Sequence, residues 1–307
     1  MTPALTIEGV TKRFGDFAAV KSFSMDVEGG SIHGFLGPNG SGKTTTMRMV
    51  MSILYPDEGR IEVLGHADPE SVKDRLGYLP EEKGLYKKMK VGEIVAYFGT
   101  LKGIPRPQAR ERARELLQRY GLGDWYDQKC EAMSKGMGQK VQLLSTLVHD
   151  PELVILDEPF SGLDPVNMEL MRDTIVQMKR EGRTVLFSTH VMAQAEEVCD
   201  RITLIFKGER KLHGALSDIK RQGGRSVRLD YEGDSAVLQG LPGVDRVNDS
   251  GRHAELVLAA GADDQEVLRA LVGKVRVLRF DTTETSLHEI YVRTVGREAA
   301  VVEGTRG

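Results

Sequence analysis

The chain has 307 residues, 40% of them hydrophobic and 28% charged, the make-up of a globular protein with room for one large domain and a smaller one. Lys and Arg number 42 against 45 Asp and Glu, a net charge of −3, which lacks the basic excess of a nucleic-acid binder. No apolar run approaches the ~20 residues of a membrane span, and residues 1–10 lack the basic start and apolar stretch of a signal peptide, so the chain is expected in the cytosol.

In chain order, residues 5–10, 23–27, 31–36, 61–64 and 76–79 predict short strands separated by Gly, Asp and Pro signals. From 91 to about 121 the pattern turns helical, with Pro105 and Pro107 as breakers, and a further helix is expected over 134–148, stopped by Asp150-Pro151. Strands at 153–156, 184–188 and 202–206 then alternate with helices at 166–181 and 192–199. Continuous aliphatic strands between helices indicate a parallel sheet buried on both faces. A linker is expected at 220–224. Beyond it the order strand 226–231, short helix 235–239, hairpin 244–248 and 254–258, helix 264–272, strand 275–280 and helix 286–295 matches a ferredoxin-like split βαβ arrangement. It contains no catalytic constellation and reads as a docking or regulatory domain. The expected domains are therefore 1–220, with a helical subdomain at about 82–133, then 225–296, and a flexible tail at 297–307.

Gly37-Pro38-Asn39-Gly40-Ser41-Gly42-Lys43-Thr44 fits the phosphate-loop pattern G-x-x-x-x-G-K-[ST], and Thr45 continues it into the helix expected at 43–51. The glycines let successive N–H groups turn inward on phosphate oxygens. Lys43 would reach the β- and γ-phosphates of a nucleoside triphosphate, and the Thr44 hydroxyl would ligate Mg²⁺. Asp157 and Glu158 close a buried strand at the end where parallel sheets bind ligands. Asp157 would hold Mg²⁺ directly or through water, and Glu158 would orient or deprotonate the attacking water. His190, ending the next strand, is placed to bond the γ-phosphate. Cys130 and Cys199 have no metal-ligand spacing and read as free thiols. Lys83, Lys87, Lys88 and Lys90 face either a partner or the anionic membrane leaflet. Arg106, Arg110, Arg112, Arg114 and Arg119, interleaved with Glu111 and Glu115, read as a solvated helix face.

With these motifs assembled, residues 4–220 closely resemble the ATP-binding subunits of ABC transporters. Met133-Ser134-Lys135-Gly136-Met137-Gly138-Gln139 occupies the place of the family's signature sequence, and Ser161-Gly162-Leu163-Asp164-Pro165 that of its D-loop. Phe14 falls where the family stacks an aromatic ring on adenine, and Glu81 stands at the Q-loop, where the family commonly has Gln. The resemblance implies an α/β fold of the P-loop NTPase class: a mixed sheet core, an antiparallel β subdomain and a helical subdomain, with the small α+β ferredoxin-like domain added. It also implies ATP and Mg²⁺ as ligands, Glu81 as a further metal contact, and an active ATPase. Two subunits, alike or pseudo-symmetric, would close head-to-tail over two ATP molecules, with Ser134, Gly136 and Asp164 of one facing the nucleotide of the other. Residues 77–86, the signature and the C-terminal domain are similar to those of bacterial sodium-efflux and drug-efflux exporter ATPases. That group implies a separate membrane permease, received by the surface from 81 to 120, and a peripheral position on the membrane's cytoplasmic face. The alternative is a non-transport ATPase of the same type acting on ribosomes or DNA. Against it stand the single cassette, the short interval between Glu81 and Met133, and the near-neutral charge.

Overall fold

The computed structural model describes residues 3–81, 84, 86–259 and 261–296. The expected tail at 297–307 lies outside the described residues, as do Glu82 and Lys83. The chain divides into two compact units, Met1–His213 and Gly214–Gly307.

In the first unit, β1 (Pro3–Phe14) and β2 (Phe17–Glu28) form a long antiparallel hairpin. Together with β4 (Glu58–Val63) they make a three-stranded sheet in the order β2-β1-β4. Both hairpin strands outrun the expected 5–10 and 23–27. Phe14 pairs with Phe17 across the turn at Gly15-Asp16, so ladder hydrogen bonds carry the strands through polar residues that hydrophobic alternation alone would not assign. The second sheet has six strands in the order β5-β6-β7-β3-β8-β9. These are β3 (Ile32–Leu36), β5 (Leu76–Leu79), β6 (Leu153–Leu156), β7 (Thr184–Thr189), β8 (Arg201–Phe206) and β9 (Glu209–Ala215). The pairings among β5, β6, β7, β3 and β8 are parallel. β3, β6 and β7 are buried along their whole length, which is why they read as aliphatic runs without alternation. Strand β9 had no counterpart among the expected elements, because ERKLHGA has no apolar run and leans on its neighbour for pairing.

Around this sheet lie α1 (Lys43–Val50), α2 (Val91–Leu101), α3 (Arg106–Arg119), α4 (Lys135–Leu147), α5 (Pro165–Arg180) and α6 (Met192–Val198). Pro105 separates α2 from α3, and Asp150, at φ 59°, follows α4 ahead of Pro151, as Pro and left-handed residues do at helix ends. The core of the unit joins the two sheets: Phe23 and Met25 from β2 pack in one cluster with Phe35, Met47, Ile155, Leu186 and Ile205. Parallel pairing brings the C-terminal ends of β3, β6 and β7 side by side, with Leu36, Leu156 and Thr189 at neighbouring positions.

The second unit opens with α7 (Leu216–Gly223), where a linker was expected. Leu216 and Ile219, three residues apart and both buried, give this helix an inner edge. The unit's sheet has β10 (Arg225–Glu232), β11 (Val244–Asp249), β12 (His253–Leu258) and β13 (Arg276–Glu284) in the order β11-β12-β10-β13, antiparallel throughout. That is the split βαβ order. The first crossover is a single 3-10 turn at Ser235–Leu238, and the second is α8 (Asp264–Leu271). A closing helix, α9 (Leu287–Val295), follows. Tyr231, Leu229, Leu256, Val267 and Leu271 centre its core.

Candidate active site

Between β3 and α1 the loop from Gly37 to Gly42 folds back on itself. Gly42 precedes the helix at φ 107°, and a Cβ there would come within 2.6 Å of the Ala19 carbonyl oxygen; a Cβ on Gly37 would run into the Ile205 carbonyl oxygen. Only glycine fits either position. The loop wraps the Lys43 side chain, whose Nζ donates to the carbonyl oxygens of Gly37 (2.7 Å) and Pro38 (3.3 Å) and stands 3.4 Å from Glu158 Oε1. Lys43 is 5% exposed. Burial lowers its pKa, and the carboxylates of Glu158, Asp157 and Glu81 oppose that fall.

The two carboxylates beside it come from the end of β6 and are held by β7. Ser188 Oγ donates to Asp157 Oδ1 at 2.5 Å and accepts from the backbone N–H of Glu158 at 2.9 Å. One hydroxyl therefore orients both acids. Asp157 is fully buried, and its Oδ2 has no hydrogen-bond partner among the described residues; the same is true of Ser41 Oγ in the loop. A buried anionic oxygen left unpaired is costly unless a cation or donor completes it, so this donor set fits a hard divalent ion with oxygen ligands. Glu158 adopts a left-handed backbone at φ 47°, a conformation that costs a non-glycine residue about 1–2 kcal/mol and recurs at functional sites. Its carboxylate receives His190 Nδ1–H, 3.1 Å from both oxygens. Lys43, Glu158 and His190 thus form one hydrogen-bonded and ion-paired row over the sheet's C-terminal edge.

A cavity of about 390 Å³ opens above this row, lined by Phe14, Phe17, Asn39, Thr44, Glu81 and Glu158 among others. The structure therefore brings together the phosphate loop, Lys43, Thr44, Thr45, Glu81, Glu158 and the aromatic Phe14. Phe17 and Ser188 belong with them and were not assigned from sequence. Phe17 was hidden because its position opposite Phe14 follows from the hairpin register. Ser188 lies on β7 two residues before His190, but its bonds reach across to the end of β6.

Ser134, Gly136 and Asp164 do not line that cavity. They stand at the starts of α4 and α5 instead. Ser134 caps α4, accepting from Met137 N–H at 3.3 Å, and Asp164 caps α5, accepting from Asn167 N–H at 2.9 Å and Asn167 Nδ2 at 2.6 Å. A Cβ on Gly136 would overlap the Asn167 side chain, and one on Gly162 would come within 2.6 Å of Lys135 Nζ. The starts of α4 and α5 are packed together, and Gln139 Nε2 donates to the Pro159 carbonyl just past Glu158. The two bonds from Asn167 also hold the Asp164 carboxyl below its ordinary pKa.

The family description "ABC transporter" matches residues 20–161, and "ATP-binding protein DrrA1-3-like, C-terminal domain" matches residues 214–295. The uncharacterized ABC transporter ATP-binding protein YhaQ of Bacillus subtilis is 40% identical, over 95% of this chain and 98% of its own length. The Nod factor export ATP-binding protein I of Burkholderia lata is 33% identical, over 96% of this chain and 97% of its own. A solved ATP-binding subunit of an ABC transporter superposes with a TM-score of 0.64 at 29% identity, covering 72% of this chain and 93% of that one. The fold and the loop-and-carboxylate cluster are those of a P-loop ATPase that binds and hydrolyses ATP. The chain belongs to the ATP-binding proteins of ABC transporters, in a form that carries a DrrA-like C-terminal domain. No helix among the described residues is long and apolar enough to cross a membrane.

Proposed function

We propose that this chain energises a bacterial exporter through a permease carried on a separate polypeptide, working as a dimer on the cytoplasmic face of the membrane. The observation that carries the catalytic reading is the row Lys43–Glu158–His190 beside the half-satisfied Asp157. Lys43, now bonded to loop carbonyls, exchanges them for β- and γ-phosphate oxygens, with the loop's N–H groups and the start of α1 around the anion. Thr44, Asp157 and Glu81 would hold Mg²⁺, which when bound would supply charge neutralisation for phosphoryl transfer. Glu158, fixed by Ser188 and His190, takes the proton of the attacking water, and His190 senses the γ-phosphate beside it. Phe14 stacks on adenine, with Phe17 flanking it.

Ser134, Gly136 and Asp164 act on the nucleotide of a second subunit; their separation from the cavity of their own chain supports that division. ATP then draws two subunits together and hydrolysis releases them, a ligand-driven shift of population. Export is supported by the Nod factor relative and by the DrrA-like C-terminal match. For the permease contact, a largely apolar cavity of about 320 Å³ is lined on one side by Phe98 and Leu101, from the stretch expected to receive it, and on the other by Tyr78, Leu79 and His149, which lie outside that stretch.

The test is a pull-down of the tagged Glu158→Gln variant with Mg-ATP from detergent-solubilised native membranes. A multi-span membrane protein in stoichiometric yield is the expected result. Recovery with ribosomes, with DNA or with no partner would transfer the reading to a non-transport ATPase.

A further inference from the structure

In the C-terminal unit, β13 pairs among the described residues with β10 alone, on one side. With nine residues it is the longest strand of its sheet, and its free margin carries backbone donors and acceptors able to pair with another strand. Its ionised residues run Arg276, Arg279, Asp281, Glu284: two cations, then two anions, disposed symmetrically about Phe280. Arg276, Arg279 and Glu284 are exposed, Arg276 at 76% and Arg279 at 63%, and Asp281 is half-buried.

Edge strands commonly avoid self-association by carrying charges that repel a second copy. The order on β13 does the reverse. Antiparallel pairing about a twofold axis at Phe280 sets Arg279 opposite the second copy's Asp281 and Arg276 opposite its Glu284, each contact made twice. Parallel pairing would set like charges opposite each other, so the charge order also selects the orientation. Arg279 and Asp281, two residues apart, share one face of the strand, and the axis turns the two pairs into a ring of four alternating charges.

The present partners of these groups do not stand in the way. Arg279 bonds Asp281 of its own strand at 2.6 Å, Arg276 lies 3.3 Å from Glu232, and Glu284 4.0 Å from Lys220. Exposed pairs of this kind contribute about 0–1 kcal/mol and exchange readily. The bulge of β13 opposite Asp230 and Tyr231 falls at Leu278, beside the axis. It limits regular pairing to the residues around Phe280, with the Arg276–Glu284 contacts flanking them. The other sheet edge, β11, has no such order, and its Arg246 is committed to the buried Glu289 at 2.8 Å.

We propose that β13 is a self-recognition edge, through which two copies of this chain pair antiparallel about an axis at Phe280. The contact is distinct from the nucleotide-dependent dimer proposed above and needs no ATP. Sedimentation equilibrium of the full chain without nucleotide, at low and high salt, tests it. The expected result is a salt-sensitive dimer with Kd of about 10–100 μM, weakened roughly fivefold or more by Arg279→Glu or by Asp281→Arg alone. The combination Arg279→Glu with Asp281→Arg restores affinity to within about twofold, because both partners change sign together. A chain that stays monomeric at about 200 μM, single variants without effect, or a combined variant no better than the singles would each overturn it.

Discussion

The phosphate-loop cluster and the signature cluster belong to one unit, yet they are built on opposite principles. Lys43, Asp157 and Glu158 are buried, and Asp157 Oδ2 and Ser41 Oγ have no partner among the described residues. Ser134, Lys135 and Asp164 stand at more open helix starts, and the capping oxygens of Ser134 and Asp164 are used within the cluster. Buried charge with spare bonding capacity is expensive until a ligand completes it. The first cluster is therefore unfinished by itself and finished by a nucleotide. The second is already a finished surface, and in the role proposed for it the phosphate would be brought by another chain.

The contrast is broken most severely by Lys43→Ala, which removes the buried ammonium group of the row. Equilibrium titration with a fluorescent ATP analogue is expected to show a loss of about 10³-fold in affinity, on the order of 4 kcal/mol. Near-normal binding would refute the role of the loop. Gly136→Val tests the other half. Its side chain would displace Asn167 and reshape the start of α4, so steady-state ATPase activity should fall about 10–100-fold while ATP affinity of the isolated chain changes by less than about twofold. An equal fall in affinity would mean that the two clusters are not separable.

A third prediction separates ligand-completed burial from burial that is complete in itself. His33, on the strand leading into the phosphate loop, bonds Thr203 Oγ1 at 2.7 Å; Thr203 bonds His213 Nδ1 at 2.8 Å, and His213 Nε2 bonds Asp26 at 2.9 Å. Burial lowers the pKa of His33 to about 3. Between that value and 6.5 the unfolded chain binds the proton and the folded one does not, so stability falls as pH falls through this window and is fully present above it. Urea unfolding at pH 7 and pH 5 should register about 2 kcal/mol from this group, absent in His33→Leu. A pH response unchanged by that substitution would locate the sensitivity elsewhere. The smallest effect is expected from Phe17→Ala, which strips one aromatic from the cavity wall. ATP affinity should drop about three- to tenfold; no change would leave Phe14 as the sole ring in contact with the base.

Much of this was legible in the chain because the chemistry is local. The phosphate loop is eight consecutive residues, and Asp157-Glu158 and His190 end strands whose aliphatic composition marks them as buried. The expected strands and helices of the first unit correspond to observed elements, and the strand order of the second follows from its βαββαβ sequence. The expectations failed where pairing or packing acts at a distance. The polar ends of β1 and β2 and the whole of β9 exist because neighbouring strands supply hydrogen bonds. α7 replaces the expected linker because Leu216 and Ile219 find a core.

The sequence by itself therefore determined the class of protein, the loop that grips phosphate and the acids beside it, since these depend on residue type and near-neighbour spacing. Only the tertiary structure decided that Ser188 orients both acids, that Phe17 joins Phe14, and that Ser134, Gly136 and Asp164 stand away from the cavity. Each of those depends on which strands and helix ends lie side by side. That is set by long-range pairing and core packing, which leave no local pattern in the residues they bring together.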